Sequence, residues 1–422
     1  MMLSRNEQLG YLQDKRLWLW IFSAVGIYAL FYTRYTISIA MFLIFILSLF
    51  RKEEGGWKWN WNLRDLPRSS MGQAAIALGL FFWVPLLSGF WSEETADFWV
   101  RIRIKIPFLL LPIAYYCLPR FRKREYIGLF YVLIATALIS AIDVLVQYLQ
   151  DFETYNLIVK RGGALPSPVN HVRYSLLVGF ASIACFVMAY KRDRIRYRWE
   201  PMVLFGSGIL LFAFLHVLAV RTGLATAYAS LFFLSAIALY REKNWKLSLG
   251  VISLLILLPW GAYKTLPSFF QKINYAWTDF QALQNGEGFR YSDATRLRSF
   301  KIGKDIFLEH PYLGVGAGDL KKEAVRRFKE EYPKNSKYVA PHNQWLTFLA
   351  GTGLLGCILL LGAFVQQLLD DRWKKDLLFL VLQIMIALSF MVENTLENSV
   401  GVGFYLFFTL IGLSYLEEED FM

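Results

Sequence analysis

The feature that most constrains the fold is a series of apolar runs, each close to the length a membrane demands. Twelve stretches read as membrane-crossing helices: residues 17–32, 36–50, 71–91, 106–118, 126–149, 173–190, 201–220, 222–240, 247–263, 343–368, 376–391 and 400–415. A helix needs roughly 20 apolar residues to cross a hydrocarbon core about 30 Å thick. In lipid every backbone N–H and C=O must be satisfied within the structure, and runs of this length select helices over barrel strands. The chain is therefore expected to be an all-α polytopic membrane protein of about twelve spans. Its 422 residues, 56% hydrophobic, are too apolar for one or two soluble domains. The fourth run is short, carries Pro107 and Pro112, and is expected to kink, tilt or re-enter.

Charge in the connecting loops orients the spans. Alternate loops are basic: Arg51, Lys52, Lys58, Arg64 and Arg68; Arg120, Arg122, Lys123 and Arg124; Lys191 to Arg198; Arg241, Lys243 and Lys246; Arg372, Lys374 and Lys375. The opposite loops are poor in Lys and Arg. By the positive-inside rule both termini are cytoplasmic and the long segment 264–341 is outside. The same rule accounts for most of the net charge of +12, so no nucleic-acid partner is implied. Cys117, Cys185 and Cys357 each lie in an apolar run, which argues against a disulfide framework or a zinc site. Arg5, Lys15 and Arg16 precede the first run without a small-residue cleavage site, so that run is read as a retained helix. The expected organisation is an N-terminal bundle over 1–200, a core over 201–366 containing the outer loop, and C-terminal helices over 367–422.

Within the outer loop, Asn285-Gly286 marks a break inside 281–288. Helical spacing over 293–308 puts Leu297, Ile302 and Ile306 or Phe307 on one side. Pro311 and three glycines make a tight turn, and 320–332 reads as a second, charged amphipathic helix.

Ionisable residues near the outer membrane surface are the first candidates for chemistry, because burying them in lipid costs several kcal/mol. Arg221 interrupts two spans. It either snorkels at a helix end or, with Thr222 and Gly223 opening the next helix, makes an anion cradle suited to phosphate. His342, between Pro341 and Asn343 where a polar loop becomes an apolar helix, is either structural or a base for an acceptor hydroxyl. Arg290, Arg296 and Arg298 form a basic set. Arg298 and Lys304 are read as a solvated face, and Arg296 as aimed at a lipid-linked anion. Arg101, Arg103 and Lys105 alternate with Val100, Ile102, Ile104 and Ile106, which reads as an interfacial segment held by something anionic. His171 and Arg173 sit on another outer loop as supporting residues. His216 and His310 are read as structural. Neither a metal-ligand cluster nor a nucleotide fingerprint occurs, so no cofactor is expected. An outward-facing site lacks ATP, and any donor must already be activated and in the membrane.

The series Leu308-Glu309-His310-Pro311-Tyr312-Leu313-Gly314-Val315-Gly316-Ala317-Gly318, His342-Asn343 with Leu346, and Gly351-Thr352-Gly353-Leu354-Leu355-Gly356 resembles the O-antigen ligase and polymerase superfamily. Arg221-Thr222-Gly223 and Arg296 in Thr295-Arg296-Leu297-Arg298 share the resemblance, which spans about residues 203–362 in its motifs. It implies an inverting, metal-independent glycosyltransferase in the bacterial inner membrane. Such an enzyme moves a glycan from undecaprenyl diphosphate to an acceptor hydroxyl on lipid A-core. By matching positions, Arg221 and Arg296 would bind the diphosphate and His342 would act on the acceptor hydroxyl. Arg101, Arg103, His171, Arg173, Arg290 and Asn343 would support them. Many members carry serine where this chain has Val220, which weakens any phosphate contact from that position.

Three alternatives stand beside a ligase. A repeat-unit polymerase and an O-linked protein glycosyltransferase would use the same chemistry. A transporter of polyprenyl-linked glycans would need charges deep in several spans, whereas Asp143 is the main mid-span acid here.

Overall fold

The computed structural model describes residues 5–53, 56–61, 63–191, 197–284, 292–332, 340–369 and 376–419. Among these are sixteen α-helices and one β-hairpin. In chain order they are α1 (Arg5–Tyr32), α2 (Arg34–Leu49), β1 (Phe50–Glu53), β2 (Gly56–Trp59), α3 (Ser70–Leu87), α4 (Thr95–Cys117) and α5 (Lys123–Gln150). There follow α6 (Phe152–Lys160), α7 (His171–Tyr190), α8 (Glu200–Leu218), α9 (Arg221–Glu242), α10 (Trp245–Thr265) and α11 (Pro267–Gln284). The last five are α12 (Ser292–Glu309), α13 (Leu320–Glu331), α14 (Gln344–Leu369), α15 (Leu377–Val392) and α16 (Ser399–Glu419).

Each of the twelve apolar runs falls on one of these helices. Among the described residues eight helices are long and apolar enough to cross a membrane, and α2 and α15 are shorter apolar helices. The hairpin, with Phe50 opposite Trp59, departs from an all-α reading and occupies part of what reads in sequence as a basic loop.

The chain divides into two compact units. The first comprises 1–132, 302–380 and 394–422; the second comprises 133–301 and 381–393.

In the first unit α3 packs on α4 and α14, and α1 on α2 and α16. Phe81, Phe108 and Tyr405 form its aromatic centre, with Phe81 and Phe108 stacked at 5.0 Å between centroids. The amphipathic helix α13 docks through Leu320, Ala324 and Phe328 onto Ile302, Ile306 and Ala350. Arg327 reinforces it, donating to Glu323 at 2.7 Å and Glu309 at 3.0 Å. Leu297, expected on that apolar side, is 49% exposed. It lies five residues before Ile302, off the i, i+4 row that Ile302 and Ile306 share.

The second unit is built around α7, which contacts α8 and α9 and is buried on nearly every side, as its all-round apolar sequence requires. Ala219 in the left-handed region ends α8, Val220 is extended, and Arg221 opens α9. Gly223 lets α9 touch α7, since a Cβ there would stand 2.4 Å from Ser175.

Candidate functional site

The glycine motif is an architectural clamp in the first unit. Val315 and Gly316 donate N–H bonds to the carbonyls of Ala350 and Gly351, both at 3.0 Å. Leu354 returns one to Pro311 at 2.8 Å. These bonds occupy the break in α14 at Gly353, which has φ 67. Gly314 also has φ 67, and its would-be Cβ lies 2.6 Å from the Gly351 carbonyl carbon. Both positions therefore favour glycine on conformation and on space. The turn is pinned further by Ser88, whose hydroxyl accepts from the Ala317 N–H, and by Asp319, which accepts from the N–H groups of Glu93 and Glu94.

The clamp fixes the helix on which the histidine loop sits. Pro341 is buried and His342 half-buried just before α14. Asn343 caps the helix, its Oδ1 accepting from Leu346 N–H at 2.9 Å and its carbonyl from Thr347 N–H at 3.0 Å. Gln344 Nε2 donates to Glu397 at 3.1 Å, and its Oε1 accepts from Leu396 N–H at 2.8 Å. Glu397 also accepts from Lys105 at 2.9 Å and Arg101 at 3.1 Å. Burial by itself would raise the Glu397 carboxyl, but Lys105 and Arg101 overcome it and hold the group at about 2. A cavity of ≈ 280 Å³ lies here, lined by Asp97, Arg101, Lys321, Pro341, Thr347 and Glu397.

The second unit gathers its own charges. Glu393, just past α15 and 2% exposed, accepts from Arg296 at 3.1 Å through one oxygen and from Arg173 at 3.4 Å through the other. Arg173, buried in the first turn of α7, also donates to the Asn170 side chain at 3.3 Å. Two guanidinium groups thus meet one carboxylate. Arg221 stands half-buried at the first residue of α9.

Residues 206–361 match the protein-family model described as O-Antigen ligase. The match covers a little over a third of the chain and marks that stretch as similar to the O-antigen ligase superfamily. No curated protein matches it. The superfamily comprises ligase- and polymerase-type membrane glycosyltransferases, with a lipid-linked glycan as donor. The matched stretch includes Arg221, Arg296, the glycine clamp and His342, whereas Arg101, Arg173, Glu393 and Glu397 lie beyond it.

Measured against expectation, the chain joins Arg173 to Arg296 through Glu393. It places His342 in the first unit and Arg221 and Arg296 in the second. Arg101 and Lys105 are not headgroup-facing residues of an interfacial segment. They are four residues apart on the continuous helix α4, on one face, bound to Glu397, while Arg103 is exposed on another. The anion that the sequence demanded is the protein's own. Arg298, read as solvated, is half-buried, because it lies one turn before Ile302 on the buried side of α12; Lys304 is exposed. His171 is exposed at the start of α7, and Asn343 is a cap. Arg290 lies outside the described residues. His216 is buried, bonded to the Phe212 carbonyl and Tyr228 hydroxyl.

The acids were missed. Glu393 and Glu397 sit in a short loop that carries no Lys or Arg, four residues apart. Two carboxylates beside apolar helices, in a chain with surplus arginine, were the available signal. Among the described residues no group of three His, Cys, Asp or Glu is placed to hold a metal ion.

Proposed function

We propose that this protein is an O-antigen ligase-like glycosyltransferase. It moves a glycan, with inversion and without metal, from undecaprenyl diphosphate to a hydroxyl of lipid A-core at the outer face of the bacterial inner membrane. The observation that carries the reading is the Arg173–Glu393–Arg296 cluster: a buried carboxylate shared by two guanidinium groups holds the fork of the motif arginine in a fixed direction.

In the reaction the acceptor O–H gives its proton to the His342 imidazole. The oxygen bonds to the anomeric carbon as the bond from that carbon to the phosphate oxygen breaks. The electron pair leaves with undecaprenyl diphosphate, whose growing charge Arg221 and Arg296 neutralise through paired N–H donors. Glu393 keeps the Arg296 fork oriented before the donor arrives, so little reorganisation is needed during transfer. Arg101, Arg103, His171, Arg173, Arg290 and Asn343 are assigned supporting roles, Asn343 by fixing the start of α14. Twelve spans, cytoplasmic termini and an outer 264–341 segment complete the proposal.

The test is the glycan profile of a strain lacking the gene. Free lipid A-core with polymer still made supports a ligase. Core carrying a single repeat unit means a polymerase instead, and an unchanged profile overturns both.

A further inference from the structure

A second basic cavity lies in the second unit, away from the residues assigned to transfer. It measures ≈ 550 Å³ and is lined by Lys160, Arg161, Gln271, Asn274 and Tyr275, with Phe270 at its edge. Its walls are α6 and α11, which pack on each other. Both walls begin at the end of a membrane-length helix: α5 stops at Gln150 and α6 starts at Phe152, while α10 stops at Thr265 and α11 starts at Pro267. The cavity therefore sits where lipid headgroups sit.

Its construction is specific. Lys272 donates to the carbonyls of Gly162 at 3.0 Å and Gly163 at 2.8 Å, tying α11 to the loop that follows α6. Among the described residues the buried Oε1 of Gln271 has no hydrogen-bond partner. Beside the cavity α11 exposes an apolar stripe at helical spacing: Phe270 43%, Ile273 42%, Trp277 60% and Phe280 49%. Ser268, Asp279 and Ala282 are buried on its other side. A helix with one apolar and aromatic exposed face, continuous with a lipid-exposed span, lies in the membrane interface. The face of α10 leading to it exposes Ile256, Leu257 and Trp260.

We propose that the cavity between α6 and α11 binds the headgroup phosphate of an anionic membrane lipid, whose acyl chains lie along the Phe270–Ile273–Trp277–Phe280 stripe. Lys160 and Arg161 supply the charge, and Gln271, Asn274 and Tyr275 supply polar atoms around it. The bound lipid anchors α11 in the interface. The proposal is independent of the transfer chemistry, since none of these residues is assigned to it.

The test uses the full chain in nanodiscs of phosphatidylcholine, with or without phosphatidylglycerol. Native mass spectrometry reads retained phosphatidylglycerol, and hydrogen exchange reads α6 and α11. The wild type is expected to keep phosphatidylglycerol and to exchange more slowly in α11 when it is present. The double variant Lys160→Ala/Arg161→Ala should retain about 30-fold less, at about one charge's worth of surface attraction per residue. Its exchange in pure phosphatidylcholine should match the wild type, which shows it is folded. Trp277→Glu should weaken α11 protection in both lipids. Equal exchange of wild type in the two lipids, or full phosphatidylglycerol retention by the double variant, overturns the proposal. So does reproduction of the effect by inorganic phosphate alone, which makes the cavity a free-anion site.

Discussion

Arg296 donates to the Oε1 of Glu393 at 3.1 Å, and the carboxylate that receives it is 2% exposed. A charge that deeply placed is tolerated because it is paired on both oxygens, the second taken by Arg173. The arrangement ties a motif arginine to a residue 97 positions away and fixes where its guanidinium points.

Removing the shared acid tests that tie. Glu393→Ala leaves two guanidinium groups without their common partner and should cost about 3 kcal/mol of stability. Glu393→Asp, which keeps the charge on a shorter stem, should lose transfer activity more than stability. Thermal unfolding in detergent and a transfer assay on the same preparations separate the two effects.

The glycine clamp makes a contrasting pair. Gly353→Ala puts a Cβ 2.2 Å from the Tyr312 carbonyl oxygen at φ 67 and should destabilise by about 2 kcal/mol or more. Gly362→Ala, further along α14 with nothing within 4 Å, should be neutral or slightly stabilising. Melting temperatures of the two variants check this.

Much of the architecture is legible in the sequence, and what is illegible has a physical reason. Periodicity and run length place every long apolar helix, and Pro311 with its glycines announces a turn. The α12 and α13 helices follow from spacing alone. The α11 helix does not, because a helix with one apolar stripe and polar residues elsewhere has too little average hydropathy to stand out from a polar loop. Arg296 and Arg173 are legible as misplaced charges, but their partner is not. Glu393 is distant in sequence from both, and no local pattern encodes a pairing made by the fold. For the same reason Arg101 and Lys105 point to an anion without revealing that Glu397 supplies it.

Acid should loosen the first unit through Glu397. Its folded value of about 2 lies below the ordinary 4.5, so the carboxylate's contribution is fully present above about 4.5 and is lost as pH falls toward 2. Unfolding measured at several points across that window should show stability falling with pH. Glu397→Gln should flatten that slope while leaving the protein less stable at neutral pH.

His342→Ala should lower glycan transfer by about 10²–10⁴-fold while the protein level holds, the range for loss of a general base. Arg221→Lys should also fall steeply, because a point charge does not reproduce a guanidinium fork on a diphosphate. Full activity in His342→Ala removes the imidazole from the proposed proton transfer.

In the proposed transfer, guanidinium groups do what a divalent ion does elsewhere: hold the charge that gathers on a departing lipid diphosphate. The most direct measurement is the transfer rate of the purified protein, donor and acceptor supplied, in excess EDTA and again after magnesium is restored. One rate is expected in both conditions, with Arg296→Ala slow in each. A rate that vanishes on chelation and returns with magnesium contradicts that role of the guanidinium groups.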